Sequence, residues 1–452
     1  MAKRILQKND FFMLQNDVKN ILIFHIPTTK LFSITVNSRI HSFFEQLTNN
    51  IQYLTPQEFN SIEKILLDNL FKTEKENIDS IQDSIQIGLA NYKLNTVILP
   101  ISGKCNLKCP YCFAQTKNGF GFEDMSEVEI SNIINFIMNG KQKEEYTTIN
   151  FFGGEPFINL KIMRFAVKFV KDNYPDYPVN FTVTTNGTIM NNEIINFLKE
   201  NGFSILVSID GPKEVPSYRI FKNGKSSVDK VINNILKMKS EGLHLALRAT
   251  LPNDCTDLVK IHRFFEELEI PFSAVHAYKS INDNNLTDYD SAISSLSKQY
   301  DKLLEYYKNK IEQGAKIYSM SISNKINMIL TQSKNNIACG GGINIFAITN
   351  DGNIYTCEHL AYDKNFAVGN IFSGIDGDKL KYQQPSYVED LEKCKTCWAK
   401  FLCSGGCFTQ REVSNGRNIG LSGDDCALVK LQWKFIFKLF FYIKKAKYQI
   451  NW

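Results

Sequence analysis

The chain has 452 residues, a net charge of +5 and a 43% hydrophobic share, which excludes a single small domain and leaves room for a sizeable core in several units. Its 52 basic and 47 acidic residues form no long Lys/Arg block, so the charge is a weak argument for nucleic acid and does not require it. No stretch reaches the roughly 18 uncharged apolar residues of a spanning helix, residues 1–10 carry no apolar signal core, and a cytoplasmic location is the expectation. Eleven cysteines without an export signal point to metal or redox use in a reducing compartment.

Residues 1–85 read as a small winged-helix-like unit. Residues 18–26 and 30–36 are β-rich runs joined by a turn at Ile26-Pro27-Thr28-Thr29-Lys30. Helical patterns follow over 38–47 and 55–71, with Pro56 in the first turn of the second. Such a unit suits DNA or an extended peptide added to a sheet edge. No Arg/Lys-rich second helix is present to enter a groove, which favours the peptide; a DNA-associated regulator and a plain structural cap are the competing readings. Residues 72–93 read as a linker or exposed helix.

From 94 to 315 strand and helix patterns alternate. Strands are expected at 96–101, 147–152, 179–185, 204–210, 244–251 and 271–277, and helices at 126–139, 160–173, 191–201, 227–241, 256–268 and 288–312. The fold class is therefore α/β, a parallel sheet with right-handed crossovers closing into a partial, TIM-like (β/α)6 barrel. Chemistry in such a barrel collects at the C-terminal strand ends. At those ends stand Cys105-x3-Cys109-x2-Cys112 with Tyr111 between the last two cysteines, then Gly153-Gly154-Glu155-Pro156, then Asn186-Gly187, then Ser208-Ile209-Asp210-Gly211, followed by Arg219. Two glycines let backbone approach closely, Glu155 offers a carboxylate to an ammonium group, and Asn-Gly and Asp-Gly also serve plain turns. Arg248 on the fifth strand is a candidate to face the interior. Cys255 reads as an inert thiol at a helix start.

Seven more cysteines lie in a second block, residues 316–427: Cys339, then Gly352 and Cys357, then Cys394-x2-Cys397-x5-Cys403-x3-Cys407, then Cys426. Zinc is the competing ligand for CxxC-like pairs. Asn350-Asp351-Gly352-Asn353 reads as a hairpin turn that brings Cys357 back toward Cys339. Residues 428–452 read as an amphipathic helix with Lys430, Lys434 and Lys438 on one stripe. It either packs on the protein or contacts a membrane or an exporter.

Cys105, Cys109 and Cys112 after the first barrel strand resemble the cluster loop of the radical S-adenosylmethionine (radical SAM) enzymes, and the later seven cysteines resemble their SPASM extension. The resemblance implies an oxidoreductase with one [4Fe–4S] cluster at Cys105, Cys109 and Cys112, whose open iron chelates SAM. It implies SAM contacts for Gly153, Gly154 and Glu155 at the amino group, Tyr111 on the adenine side, Ser208 near the ribose, Arg219 at the carboxylate, and Asn186 and Asp210 near the reaction space. Arg219 lacks the His-Asp that often precedes it in relatives; Val215-Pro216 stands there instead. It further implies two auxiliary [4Fe–4S] clusters, the nearer on Cys339, Cys357 and Cys407, the farther on Cys394, Cys397, Cys403 and Cys426. Two cubes take eight thiolates and this block supplies seven, so the nearer cluster is expected to keep an open iron for a substrate cysteine sulfur, with Cys255 as the rival ligand.

At the front of such an enzyme, residues 1–85 resemble the leader-recognition element of peptide maturases. The implied activity is thioether crosslinking, cysteine sulfur to carbon, in a ribosomally made precursor peptide, as in sactipeptide- or ranthipeptide-type bacteriocin biosynthesis. A flavodoxin or ferredoxin would supply electrons, and no nucleic acid would take part. The alternatives are peptide epimerisation, carbon–carbon crosslinking, and anaerobic sulfatase maturation to formylglycine.

Overall fold

The computed structural model describes residues 7–49, 54–71, 92–112, 115–116, 119–120, 123–215, 218–251, 257–276, 289–361, 363–414 and 421–446. Most of the expected linker at 72–93, and Cys255, lie outside them. At the front, β1 (Phe11–Gln15), β2 (Asn20–His25) and β3 (Lys30–Thr35) form an antiparallel sheet in that order. The helices α1 (Arg39–Asn49) and α2 (Pro56–Phe71) follow. The strand β1 had no signal of its own. It is five residues without alternation, and it becomes a strand only by pairing Phe12 with Phe24 across β2.

The run Ile21-Leu22-Ile23-Phe24 is apolar throughout, as suits a strand buried on both faces. Ile23 joins Phe11, Ile34, Phe43 and Phe44 in a small core of the front unit. Leu22 and Phe24 turn the other way and enter the main core of the protein. Phe12 stacks on Trp398 at 3.9 Å and 10°, and Phe24 meets Phe437 at 5.0 Å. The front unit is thus docked through its central strand as well as having a core of its own.

The barrel strands are β4 (Thr96–Ser102), β7 (Thr147–Gly153), β8 (Val179–Thr185), β9 (Ser204–Ser208), β10 (His244–Leu251) and β11 (Phe272–His276), each parallel to its neighbour. A two-residue ribbon, β5 (Gln115–Thr116) with β6 (Gly119–Phe120), follows the first strand. The strands β9 and β11 stop one or two residues short of the expected bounds. The crossover helices are α3 (Glu127–Met138), α4 (Leu160–Asn173), α5 (Asn192–Glu200), α6 (Val228–Ser240), α7 (Leu258–Leu268) and α8 (Tyr289–Glu312). Ser126 and Glu129 close a capping box at the start of α3.

Strand alternation sorts the side chains. Ile149, Phe151, Phe181, Val183, Ile205, Val207, Leu247 and Ala249 are buried toward the helices, each large one worth about 2 kcal/mol on burial. The alternate positions, among them Thr182, Thr184, Ser208 and Arg248, take the concave face.

The sheet does not stop at residue 315. After α9 (Met320–Leu330), β12 (Ile345–Ile348) lies parallel to β4, pairing Ile345 with Thr96 and Ala347 with Ile98. β13 (Asn353–Tyr355), β14 (Gly369–Asn370) and β15 (Gly374–Ile375) continue antiparallel, giving ten strands in the order β11-β10-β9-β8-β7-β4-β12-β13-β14-β15. The cysteine-rich block is therefore joined to the barrel by backbone hydrogen bonds. It ends in α10 (Phe408–Ser414) and α11 (Gly423–Ala446).

The last helix takes the first of its two expected readings and packs on the protein. Trp433, Phe435, Ile436, Phe437, Leu439, Phe440 and Ile443 are all buried. Lys438 pairs with Asp301 of α8 at 3.5 Å, and Tyr442 hydrogen-bonds Glu312. Its apolar residues pack against α8, α9 and the front sheet. No helix among the described residues is long and apolar enough to cross a membrane.

Candidate active site

The cysteine loop leaves β4 at Ser102 and is pinned at once. Asp124 Oδ1 accepts from Ser102 Oγ and Gly103 N, both at 3.0 Å, and Asp124 also pairs with Lys104. Farther on, Leu107 is buried and bridges Phe221, and Lys108 N donates to Ile220 O at 2.8 Å. Cys112 N donates to Cys109 O at 3.1 Å, closing the turn that carries the last two thiols.

The Gly-Gly-Glu motif sits against this loop. Gly154 N donates to Ser102 O and Glu155 N to Lys104 O, both at 2.8 Å. A Cβ at Gly153 would lie 2.5 Å from Ser102 O, and one at Gly154 would overlap Lys104 O. The glycines are therefore needed for the approach of β7 to the cysteine loop. Glu155 is fully buried, and its carboxylate is occupied: Oε1 accepts from Thr185 Oγ1 at 2.8 Å and Phe157 N at 3.2 Å, and Oε2 from Asn186 N at 2.8 Å. Burial outweighs these donors and pushes it up to about 7. These bonds tie the ends of β7 and β8 together through Glu155, the residue expected to offer its carboxylate to an ammonium group.

Asn186 is at the next strand end. Its Nδ2 donates to Asn106 Oδ1 at 2.9 Å and lies 3.7 Å from Cys105 Sγ, and its Oδ1 accepts from Thr188 N and Oγ1. Asn106 Nδ2 returns a bond to Thr188 Oγ1 at 2.8 Å. The residues Asn106, Thr185 and Thr188 had not been singled out; the signal for Asn106 was its place inside the cysteine motif. Ser208 is half-buried at the end of β9, in register with Arg248.

Asp210 gathers the remaining candidates. Its Oδ1 accepts from Arg219 Nε at 3.0 Å and Thr250 N at 3.2 Å, and its Oδ2 from Tyr111 Oη. The Arg219 guanidinium also lies 5.5 Å from the Tyr111 ring centroid. Burial raises the Tyr111 phenol well above its ordinary range and keeps it a donor. The structure thus brings Tyr111, Asp210 and Arg219 together, with Arg219 facing Asp210.

The ten described cysteines are free thiols. Burial raises Cys105 and pushes Cys109 up to about 12, with Cys112 adding to both. In the second block burial raises Cys339 and Cys357, and Cys407 adds to both. Burial likewise pushes Cys394 up to about 11 and Cys403 up to about 12, with Cys397 and Cys426 adding to each. The thiols thus act on one another in three groups, all but the exposed Cys339 at least half-buried, where the charged form is costly without a cation. That donor chemistry fits iron–sulfur clusters, which take one thiolate per iron and displace the protons on binding. Among the described residues no three His, Cys, Asp or Glu side chains are set to hold a single metal ion; a cube instead takes thiols spaced around it.

Comparison with known proteins agrees with this geometry. Residues 99–259 match the Radical SAM superfamily. A cysteine-type anaerobic sulfatase-maturating enzyme of Clostridium novyi is 27% identical over 353 residues, covering 72% of this chain and 91% of that protein. The radical SAM cyclopropyl synthase TigE of Paramaledivibacter caminithermalis is 23% identical over 384 residues, covering 79% and 75%. Among solved structures, anSMEcpe with bound AdoMet superposes with a TM-score of 0.65 at 20% identity over 78% of this chain and 99% of that one. Streptococcus suis SuiB superposes with a TM-score of 0.52 at 14% identity over 93% and 99%. These structural likenesses establish a shared α/β fold with a mostly parallel central sheet. With the cysteine loop on a barrel that matches this superfamily, the chain is a radical SAM enzyme whose cofactors are a [4Fe–4S] cluster and S-adenosylmethionine.

Proposed function

We propose that this enzyme is a peptide maturase that installs thioether crosslinks, cysteine sulfur to carbon, in a ribosomally made precursor peptide. The cluster and SAM, when bound, supply a 5′-deoxyadenosyl radical that removes a hydrogen atom from the substrate. The chain's own residues do the positioning. Gly153 and Gly154 seat the loop of Cys105, Cys109 and Cys112, and Glu155 and Asn186 lock it to β8. Tyr111, Ser208, Asp210 and Arg219 line the adjoining strand ends. Cys339, Cys357 and Cys407 are proposed to hold one auxiliary cluster, and Cys394, Cys397, Cys403 and Cys426 a second. The observation that carries the thioether reading is the count of seven thiols in the second block, one short of the eight that two cubes take. A set of three leaves one iron for the sulfur of a substrate cysteine.

The front unit supports a peptide partner. The strand β3 is an edge of its sheet. Val36 N donates to Lys19 O at 2.8 Å, so by alternation Leu31, Ser33 and Thr35 turn their backbone groups away from β2. A cleft of about 420 Å³ runs beside this edge, bounded by Lys30, Phe32, Leu70, Leu330, Phe440 and Lys444. A leader segment added there as a fourth strand would find main-chain partners and apolar pockets. The likeness to SuiB, a protein whose structure is also known bound to its precursor peptide SuiA, is consistent with such a partner.

Anaerobic reconstitution with cysteine-containing precursor peptides tests the reading. A loss of two hydrogens per crosslink with the sulfur mapped to a carbon supports it. Unchanged mass with an inverted residue favours an epimerase, and a crosslink without sulfur a carbon–carbon maturase. The sequence likeness to sulfatase-maturating enzymes favours a second reading, in which a cysteine in a sulfatase peptide becomes formylglycine. Ser33→Pro separates the two, because it removes an outward N–H from an exposed edge position that tolerates proline. It should weaken binding of a leader-bearing peptide and leave turnover of a short sulfatase peptide unchanged.

A further inference from the structure

We infer that Arg248 is a carboxylate-recognition residue of the chamber at the barrel mouth. Its peptide arm, described below, rests on the maturase reading. Arg248 stands on the concave face of β10, in register with Ser208 of β9 and Ser273 of β11. Its chain neighbours Leu247 and Ala249 are fully buried on the opposite face, while Arg248 itself is exposed. An arginine exposed on the inner wall of a barrel faces open space within the fold.

The level of Arg248 matters. Thr185 pairs with Val207, so Ser208 and Arg248 lie one step along, level with Asn186, the residue that reaches Cys105. Two positions further on the same face is Thr250, whose N–H is bound to Asp210. Arg248 therefore sits just beneath the cluster of Tyr111, Asp210 and Arg219.

No described residue neutralises it. The Arg248 side chain makes no hydrogen bond or ion pair among the described residues. Asp210, the carboxylate on this side, is committed to Arg219, Tyr111 and the Thr250 N–H, and the flanking residues in register are serines. A planar guanidinium with five donors, held without a partner on a chamber wall, is built for a bidentate carboxylate. Two ligands bring one to this chamber: the methionine end of SAM and an acidic side chain of a peptide substrate.

The test uses reconstituted holoenzyme, as wild type, Arg248→Gln and Arg248→Lys. Equilibrium dialysis compares SAM with decarboxylated SAM. Mass spectrometry reads retention of a pool of cysteine-containing dodecapeptides carrying Asp or Glu, or the matching amide, at the same positions. If the carboxylate is SAM's, Arg248→Gln weakens SAM roughly ten- to a hundredfold and spares decarboxylated SAM. If it is the peptide's, the same loss falls on acidic peptides and spares the amide forms. In either case Arg248→Lys recovers part of the loss. Arg248→Gln that binds SAM and acidic peptides as wild type does, or that loses both members of a pair alike, overturns the assignment. Wild type that retains no peptide defeats the maturase reading; unchanged SAM binding by Arg248→Gln would then overturn the Arg248 assignment as well.

Discussion

Gly154→Ala should unseat the cysteine loop without unfolding the barrel. A methyl group at this position would overlap the Lys104 carbonyl, with the carbonyl carbon at 2.6 Å and Cys105 N at 3.0 Å. These are backbone atoms, so no flexible side chain can give way. The loop must move instead, and two hydrogen bonds of 2.8 Å, Gly154 N to Ser102 O and Glu155 N to Lys104 O, lengthen together. Two such bonds at about 1 kcal/mol each and about 1–3 kcal/mol of overpacking give about 3–5 kcal/mol. That is a large share of the ~5–15 kcal/mol by which a folded protein is stable. The displaced atom belongs to Cys105, so iron binding should fail before the fold does.

Gly140→Ala is the control, because Gly140 has φ of +78° with nothing within 4 Å of its Cβ position. It should cost about 1–2 kcal/mol through backbone strain alone and leave iron content unchanged. The assays are iron per chain, SAM cleavage to 5′-deoxyadenosine, and thermal melting after anaerobic reconstitution. Gly154→Ala with full iron and wild-type SAM cleavage would refute the argument that these glycines serve the close approach of β7 to the loop.

Glu155 makes a pH prediction. Burial raises it from 4.5 to about 7, so its contribution to stability is full below about 4.5 and is lost as pH rises through about 7. Relative to Glu155→Gln, the wild type should lose about 3 kcal/mol across that window; an offset between the two that is independent of pH would refute the assignment. Trp398→Ala removes the ring stacked on Phe12 and should cost about 3–5 kcal/mol. Limited proteolysis should then release the front unit, and unchanged protection would mean that the stack carries little of the docking. Cys255→Ala should leave iron content and crosslinking unchanged if the seven cysteines of the second block stand alone; loss of one cluster's iron would make Cys255 the eighth ligand.

Much of the barrel was legible because its signals are local. Apolar alternation marks β8 and β10 to the residue, and caps such as Ser126 mark helix starts within a few positions. The site was legible as spacing. Cys105, Cys109 and Cys112 share one turn, and seven cysteines follow in order, so the chain itself brings neighbouring thiols together. Other features needed partners far away in sequence. β1 is a strand because β2 lies beside it, and β12 because β4 offers an open edge. Neither signal exists in the five or four residues concerned.

The same distinction divides the site. The candidate ligands and the class of chemistry are legible in local sequence, because thiol spacing and glycine turns act over a few bonds. What each neighbouring side chain does was decided by the tertiary structure. Glu155 is a strut because Thr185, Asn186 and Phe157 converge on it, and Arg219 faces Asp210 because a loop returns beside Tyr111. Arg248 is left exposed on the inner wall because serines, not carboxylates, flank it across two strands. A sequence can name a charge, but only the packed sheet determines whether that charge has a partner.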